Sequence, residues 1–244
     1  MSIIYEPAGR AKEYCQLAAN LYRGCSHGCK YCYAPSALRM DRDKFHSQAE
    51  PRKDVVAKLK KDAESGKYKG PVLLCFTTDP YQQANDEHGI TGQAIKILKD
   101  NNIPVEILTK GGNRALDDLD LLDSSDKIGS TLTFVREDDS LEWEPFAAPP
   151  IERFNMLKQA HKKGIKTWAS LEPVIDTEQT LNIIEQTMDY VDLFKVGKLN
   201  YNPIAKTIDW HRFAHEVVRL LKFYNLNYYI KNDLRRYLDT EAAC

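Results

Sequence analysis

Three cysteines, Cys25, Cys29 and Cys32, fall within eight residues of the segment Gly24-Cys25-Ser26-His27-Gly28-Cys29-Lys30-Tyr31-Cys32-Tyr33-Ala34, a C-x3-C-x2-C spacing. Thiolates hold iron–sulfur clusters, and short spacings let one loop reach several corners of a cubane. Three ligands on a four-iron cluster leave one iron open, and an open iron can bind a small chelating molecule. A structural zinc site is the competing reading. Such sites take four ligands, usually as two separated C-x2-C pairs. Here the second pair is missing. His27 could complete a set only in a cramped local geometry, so Cys15 is the better fourth donor. A disulfide framework fits poorly, because it spreads its cysteines along a small secreted chain; the remaining ones here, Cys15, Cys75 and Cys244, are scattered.

The rest of the chain sets what can position this loop. It has 244 residues, 43% apolar and 28% charged, a globular composition. That length suits one α/β domain, since α/β barrels often run to ~200–250 residues, and a core of that size needs no staples. No run of ~18 apolar residues is present, which excludes a helical membrane span. The N-terminus lacks the basic and apolar regions of a signal peptide, so a cytoplasmic location is expected. The net charge of −1 excludes coating nucleic acid by bulk charge, though not a local basic groove.

Strand-like apolar runs alternate with helical patterns, as in βα units around a parallel sheet. Strands are predicted at 16–22, 71–76, 105–108, 128–134, 166–171, 191–196 and 227–230. Helices are predicted at 52–65, 92–99, 116–122, 150–163, 178–188 and 210–223. Polar and Gly/Pro residues gather after the strands, at 24–32, 77–81, 109–113, 172–176 and 197–201. Ligands of parallel α/β folds sit at the carboxyl ends of strands, so these segments should converge on one rim. The expected fold is a partial parallel TIM-like barrel with about six core strands. Its expected organisation is an N-terminal extension, 1–19, and a core domain, 20–244, with C-terminal helix and strand elements.

The cysteine loop, with the aromatic Tyr31 before its third cysteine, resembles the loop of the radical S-adenosylmethionine superfamily. Further blocks resemble its DNA repair photolyase group, which is related to spore photoproduct lyase: Asn20-Leu21-Tyr22-Arg23-Gly24-Cys25-Ser26-His27, Thr78-Asp79-Pro80-Tyr81-Gln82, Thr109-Lys110, and Glu144-Pro145-Phe146-Ala147-Ala148-Pro149 followed by Arg153. The resemblance implies a (β/α)6 barrel of the radical S-adenosylmethionine type. It implies a [4Fe-4S] cluster on Cys25, Cys29 and Cys32 as metal ligands, and an open iron chelated by S-adenosylmethionine. The reduced cluster would cleave that molecule to methionine and a 5′-deoxyadenosyl radical that takes hydrogen from substrate. An electron donor such as flavodoxin or ferredoxin is the implied partner, and a nucleic-acid base a candidate substrate.

The resemblance carries Tyr31, Thr77, Thr78, Asp79, Lys110, Thr131, Glu144 and Arg153 to the S-adenosylmethionine site. Asp79 and the threonines suit an ammonium, although Asp before Pro80 equally suits a turn. Lys110 suits a carboxylate. Thr131 and Thr133 could reach ribose hydroxyls or merely favour a strand. Glu144 and Arg153 could pair, bracing the rim or touching the ligand. Glu172 and Lys198 also end strands. One departure concerns the hydrogen-donating cysteine that the lyase carries three residues before its strand-end aspartate. Here that position is Phe76, with Cys75 one residue earlier and expected to point away as a buried thiol. Segments 52–69 and 219–237 mix basic residues with some aromatics, which fits either a nucleic-acid surface or a solvated face. His211 and His215, four apart, lack an evident third ligand. Two alternatives stand beside the nucleic-acid reading: a radical enzyme modifying a peptide or small metabolite, and a non-catalytic zinc-stabilised binding module.

Overall fold

A computed structural model describes residues 2–239; Cys244 lies outside them. Among the described residues there are ten strands: β1 (Ile4–Tyr5), β2 (Leu17–Ala19), β3 (Tyr22–Arg23), β4 (Glu50–Pro51), β5 (Val72–Leu74), β6 (Val105–Thr109), β7 (Lys127–Thr131), β8 (Lys166–Val174), β9 (Leu193–Lys198) and β10 (Tyr228–Ile230). Eight form one sheet in the order β1-β2-β5-β6-β7-β8-β9-β10, and β3 pairs with β4 apart from it. Within the eight-stranded sheet every pairing from β2 to β10 is parallel and β1 runs antiparallel to β2; the separate β3–β4 pair is antiparallel too. This is the partial TIM-like barrel that the alternating pattern predicts, with β10 as a further parallel strand. The sheet already includes β1 and β2, so the expected boundary at 19/20 falls at the end of β2.

Helices α1 (Ala34–Ala37), α2 (Arg42–Ser47), α3 (Val55–Glu64), α4 (Gln83–His88), α5 (Ile90–Asp100), α6 (Glu137–Trp143), α7 (Pro150–Lys162), α8 (Thr177–Thr187), α9 (Trp210–Phe223) and α10 (Asn232–Arg235) complete the fold. The long ones form where apolar residues recur every three or four positions. In α9 these are Trp210, Phe213, Ala214, Val217 and Leu221, all buried, and Asp209 caps its start by accepting from the Arg212 N–H. Segment 116–122 differs from expectation: Gly112–Leu121 is 3-10 helix. β7 ends at Thr131 rather than 134, and β8 runs on to Val174.

Two cores follow from side-chain alternation along the strands. The larger lies between sheet and helices. The smaller lies inside the barrel, where Cys15, Ala18, Leu73 and Trp168 pack with Tyr14, Phe76, Leu108 and Leu193. The Trp168 indole rests on Gly129, where a Cβ would sit 2.3 Å from the ring. Gly129→Ala must displace that indole. It should destabilise by about 1–3 kcal/mol, as overpacking does, lowering Tm by roughly 2–4 °C per kcal/mol in a chain of this size. A thermal melt followed by circular dichroism checks this.

The two edges of the sheet, β1 and β10, do not pair. The segment between β1 and β2 spans the gap. Glu13 accepts from the Tyr229 hydroxyl at 3.1 Å and the Asn232 N–H at 2.8 Å, and Arg10 lies 3.7 Å from Asp233. The N-terminal segment is thus a side of the barrel.

Candidate active site

The cysteine loop follows β3 at the carboxyl rim and is fixed by bonds that do not involve its thiols. The Cys25 N–H donates to the Phe45 carbonyl at 3.1 Å and the Lys30 N–H to that of Trp143 at 2.8 Å. Arg42 donates to the carbonyls of Cys29 and Cys32. Gln82 accepts from the Ser26 N–H at 2.8 Å and donates to the Gly24 carbonyl and to Thr78 Oγ1. Gly24 has φ +78°, and a Cβ there would lie 2.7 Å from two backbone oxygens, so only glycine permits this turn.

All three thiols are unbonded to one another; Cys29 is buried, and Cys25 and Cys32 are half-buried. Burial pushes the Cys29 thiol up to about 12, against the pull of Lys110, and raises Cys25 and Cys32 too. Burial lowers His27 to about 4, so its ring is neutral near pH 7 as Nδ1 faces Asp79 at 3.5 Å. The buried Ser26 Oγ and His27 Nε2 have no hydrogen-bond partner among the described residues.

Around the loop, the structure separates the predicted residues. Asp79 is committed to protein: Oδ1 accepts from the Tyr81 N–H at 2.9 Å and Thr109 Oγ1 at 2.6 Å, and Oδ2 from the Lys110 N–H at 2.7 Å. It closes the turn before Pro80 and ties β5 to β6. Thr78 is likewise occupied, donating to the Gly24 carbonyl at 2.6 Å. The Thr77 N–H and the Phe76 N–H donate to Asn20 Oδ1, which leaves the half-buried Thr77 side chain on the rim. Thr131 is buried at the end of β7, its carbonyl accepting from Arg153 at 3.1 Å. The ammonium of Lys110 lies 5.6 Å from the Tyr31 ring centre and has no carboxylate partner among the described residues.

Glu144 and Arg153 pair at 2.5 Å, both almost wholly buried. The pair braces the rim from inside. Arg153 also donates to the Ala148 carbonyl, while Glu144 accepts from the Tyr31 hydroxyl and, at 3.3 Å, from Thr133. Burial raises the Glu144 carboxyl and the Arg153 charge opposes it. The ring preceding the third cysteine is therefore held at its tip.

Of the strand-end pair Glu172 and Lys198, only Glu172 faces the barrel interior, beside Lys231. Lys198 lies over the Trp210 and Tyr237 rings. Cys75 faces the helix layer, 3.5 Å from the Leu21 N–H, and burial raises its thiol; Phe76 faces inward. The His211 and His215 rings lie tilted to each other on α9, with centroids 4.6 Å apart.

The donor set fits a cluster better than a single metal ion. Zinc needs four ligands within about 2.0–2.3 Å, whereas the loop offers three thiols. Cys15 lies inside the barrel against Trp168, where burial pushes it to about 12. That removes the fourth zinc ligand the spacing suggested. A cubane distributes three thiolates over three irons, so its ligands need not converge. The Radical SAM superfamily model matches residues 19–191, from β2 through the cysteine loop to the segment before β9. The chain belongs to the Radical SAM superfamily. An uncharacterized protein of Methanocaldococcus jannaschii is 28% identical, covering 83% of this radical SAM chain and 85% of its own length. Among solved structures, spore photoproduct lyase complexed with dinucleoside spore photoproduct matches with TM-score 0.68 at 13% identity, over 91% of this chain and 78% of the lyase. Streptococcus suis SuiB bound to its precursor peptide SuiA matches with TM-score 0.66 at 16% identity, over 91% of this chain and 50% of SuiB. At such identities the likeness is one of fold.

Sequence reasoning misses Gln82, Arg42 and Asn20, which hold the loop and strand end, and Tyr14 inside the barrel; it reads Lys231 only within the basic and aromatic segment 219–237, whereas the structure buries it beside Glu172. Gln82 and Asn20 stood within the quoted blocks. Arg42 acts on backbone carbonyls of the loop, which leave no mark in the sequence, and the partner of Tyr14, Glu172, lies 158 residues away.

Proposed function

We propose that this radical SAM chain binds a [4Fe-4S] cluster on Cys25, Cys29 and Cys32 and S-adenosylmethionine beside it, and uses them to abstract hydrogen from substrate. When bound, the pair supplies reductive cleavage of the sulfonium to methionine and a 5′-deoxyadenosyl radical. The observation that carries this reading is a rim loop with three unpaired thiols, fixed through its backbone and faced by one unpaired lysine. Lys110 holds the carboxylate of S-adenosylmethionine, Thr77 and Thr131 line its path, and Tyr31, anchored by Glu144, gives a planar wall. Asp79 and Thr78 act one step back, positioning Lys110 and the loop. An electron donor such as flavodoxin or ferredoxin supplies the electron. The reading places the chain in the cytoplasm, where thiols stay reduced; no helix among the described residues is long and apolar enough to cross a membrane.

Anaerobic reconstitution should load about four irons per chain, as a cubane requires, and S-adenosylmethionine should perturb the electron paramagnetic resonance of the reduced protein. One zinc per chain and no iron uptake would overturn the proposal. Lys110→Ala should leave iron unchanged and weaken S-adenosylmethionine by roughly 10- to 150-fold, the worth of a charge-assisted hydrogen bond of about 1.5–3 kcal/mol. Equilibrium binding to loaded protein checks this. A nucleic-acid base is the leading substrate reading, supported by the quoted blocks. Salt-dependent binding of oligonucleotides separates it from a peptide or small metabolite.

A further inference from the structure

The barrel interior carries an ion pair that neither the loop nor Lys110 uses. Glu172 of β8 and Lys231, just after β10, meet at 2.5 Å. They cross the intervening strand β9 at Gly197, where a Cβ would lie 2.8 Å from the Glu172 carboxyl carbon and 2.9 Å from Lys231 Cδ. Tyr14, from the segment that closes the barrel, donates its hydroxyl proton to Glu172, so Ser170, 3.0 Å from the same hydroxyl, is the donor to it. The Lys231 ammonium also lies 4.2 Å from the Tyr14 ring centre.

The pair is saturated on one side only. Glu172 Oε2 takes both Lys231 and Tyr14, while Oε1 accepts nothing from the described residues. Lys231 is 4% exposed and has this single oxygen partner among the described residues; Glu172 keeps 17% of its side chain exposed. Side-chain contacts link the cysteine loop to the pair. Tyr33, next to Cys32, reaches the Phe76 carbonyl at 3.4 Å, and the Phe76 ring meets Tyr14 edge-on at 5.5 Å.

A carboxylate oxygen beside an ammonium offers an acceptor and a donor on one edge. The complementary ligand presents an N–H and a C=O side by side on its own edge. A peptide bond is almost always trans and points these groups in opposite directions, whereas a cyclic lactam or imide locks them together. Tyr14 and Phe76 supply faces for a planar ring. We propose that Glu172 and Lys231, held by Tyr14, are the substrate-recognition pair of this barrel and take the edge of a planar cyclic amide. This rests on the reading of the barrel interior as the place of reaction.

The test is ligand-observed nuclear magnetic resonance on the full chain, with uracil as the probe and 1,3-dimethyluracil, which stacks but has no N–H, as its control. N-acetylglycine methylamide presents the trans amide. Uracil should bind and both others should not. The neutral double variant Glu172→Gln/Lys231→Met, which leaves no unpaired charge, should weaken uracil at least tenfold while keeping its melting transition. Tighter binding of a short oligo(dU) than of uracil would place the amide in a nucleic acid; equal binding would place it in a free small molecule. Equal binding of uracil and its dimethyl form, preference for the trans amide, or an unchanged double variant overturns the inference. Cleavage of S-adenosylmethionine by the loaded wild type is measured in parallel. If that cleavage is intact while uracil is ignored, only this inference fails.

Discussion

Cys29→Ala should lose its iron to background and with it all cleavage of S-adenosylmethionine, while the chain stays folded. The loss is complete because three thiolates are the fewest that leave one iron of a cubane open; two leave a site that cannot hold the cluster. The fold survives because the loop is fastened by Arg42, Gln82 and backbone bonds to Phe45 and Trp143. Cys15→Ala and Cys75→Ala are the controls. Both thiols are buried away from the loop, one against Trp168 and one in the helix-facing core, so both variants should load iron as the wild type does. Iron and sulfide analysis with a thermal melt reads both halves of the expectation.

Arg153→Met should cost about 3–5 kcal/mol of stability, the penalty of leaving a buried charge without its partner. The stranded group is Glu144, which is almost wholly enclosed and carries the Tyr31 hydroxyl as well. Burial raises its carboxyl even with Arg153 present, and raises it further without. A folded-state carboxyl held above its unfolded value binds protons preferentially in the folded chain, so stability falls as pH rises through that interval. The deficit of Arg153→Met is therefore smallest in acid and grows toward neutral pH. Adding Glu144→Gln should recover part of it at neutral pH. Urea unfolding of the single and double variants at two pH values measures this coupling. A loss in the double variant equal to the sum of the losses in Arg153→Met and Glu144→Gln alone would mean that the pair is not coupled.

Much of the scaffold could be read from pattern alone. VLL of β5 and the apolar stripe of α9 show the two periods that separate a fully covered strand from an amphipathic helix, and the parallel order follows. The short elements could not be read. Helices α1, α2, α4 and α6 span four to seven residues, too few for a 3.6-residue period to appear. Those pieces wrap the cysteine loop, so the least legible secondary structure lies where the chemistry is. The same division holds in the site. Cysteine spacing is local and visible. Whether Asp79 touches a ligand or closes a turn depends on Thr109 and Lys110, some thirty residues away, and the interior pair Glu172–Lys231 joins residues 59 apart. Likewise, only burial separates the two expectations for Glu144 and Arg153, bracing the rim or touching the ligand: both side chains are enclosed and paired with each other.

The central claim is that the loop of Cys25, Cys29 and Cys32 makes this chain a reductive S-adenosylmethionine cleaving enzyme. The direct measurement is product analysis after anaerobic incubation of iron-loaded protein with dithionite and S-adenosylmethionine. The account predicts 5′-deoxyadenosine and methionine in equal amounts, and neither from a variant lacking any one of the three cysteines. Fully loaded, reduced protein that binds S-adenosylmethionine and returns it uncleaved would contradict it.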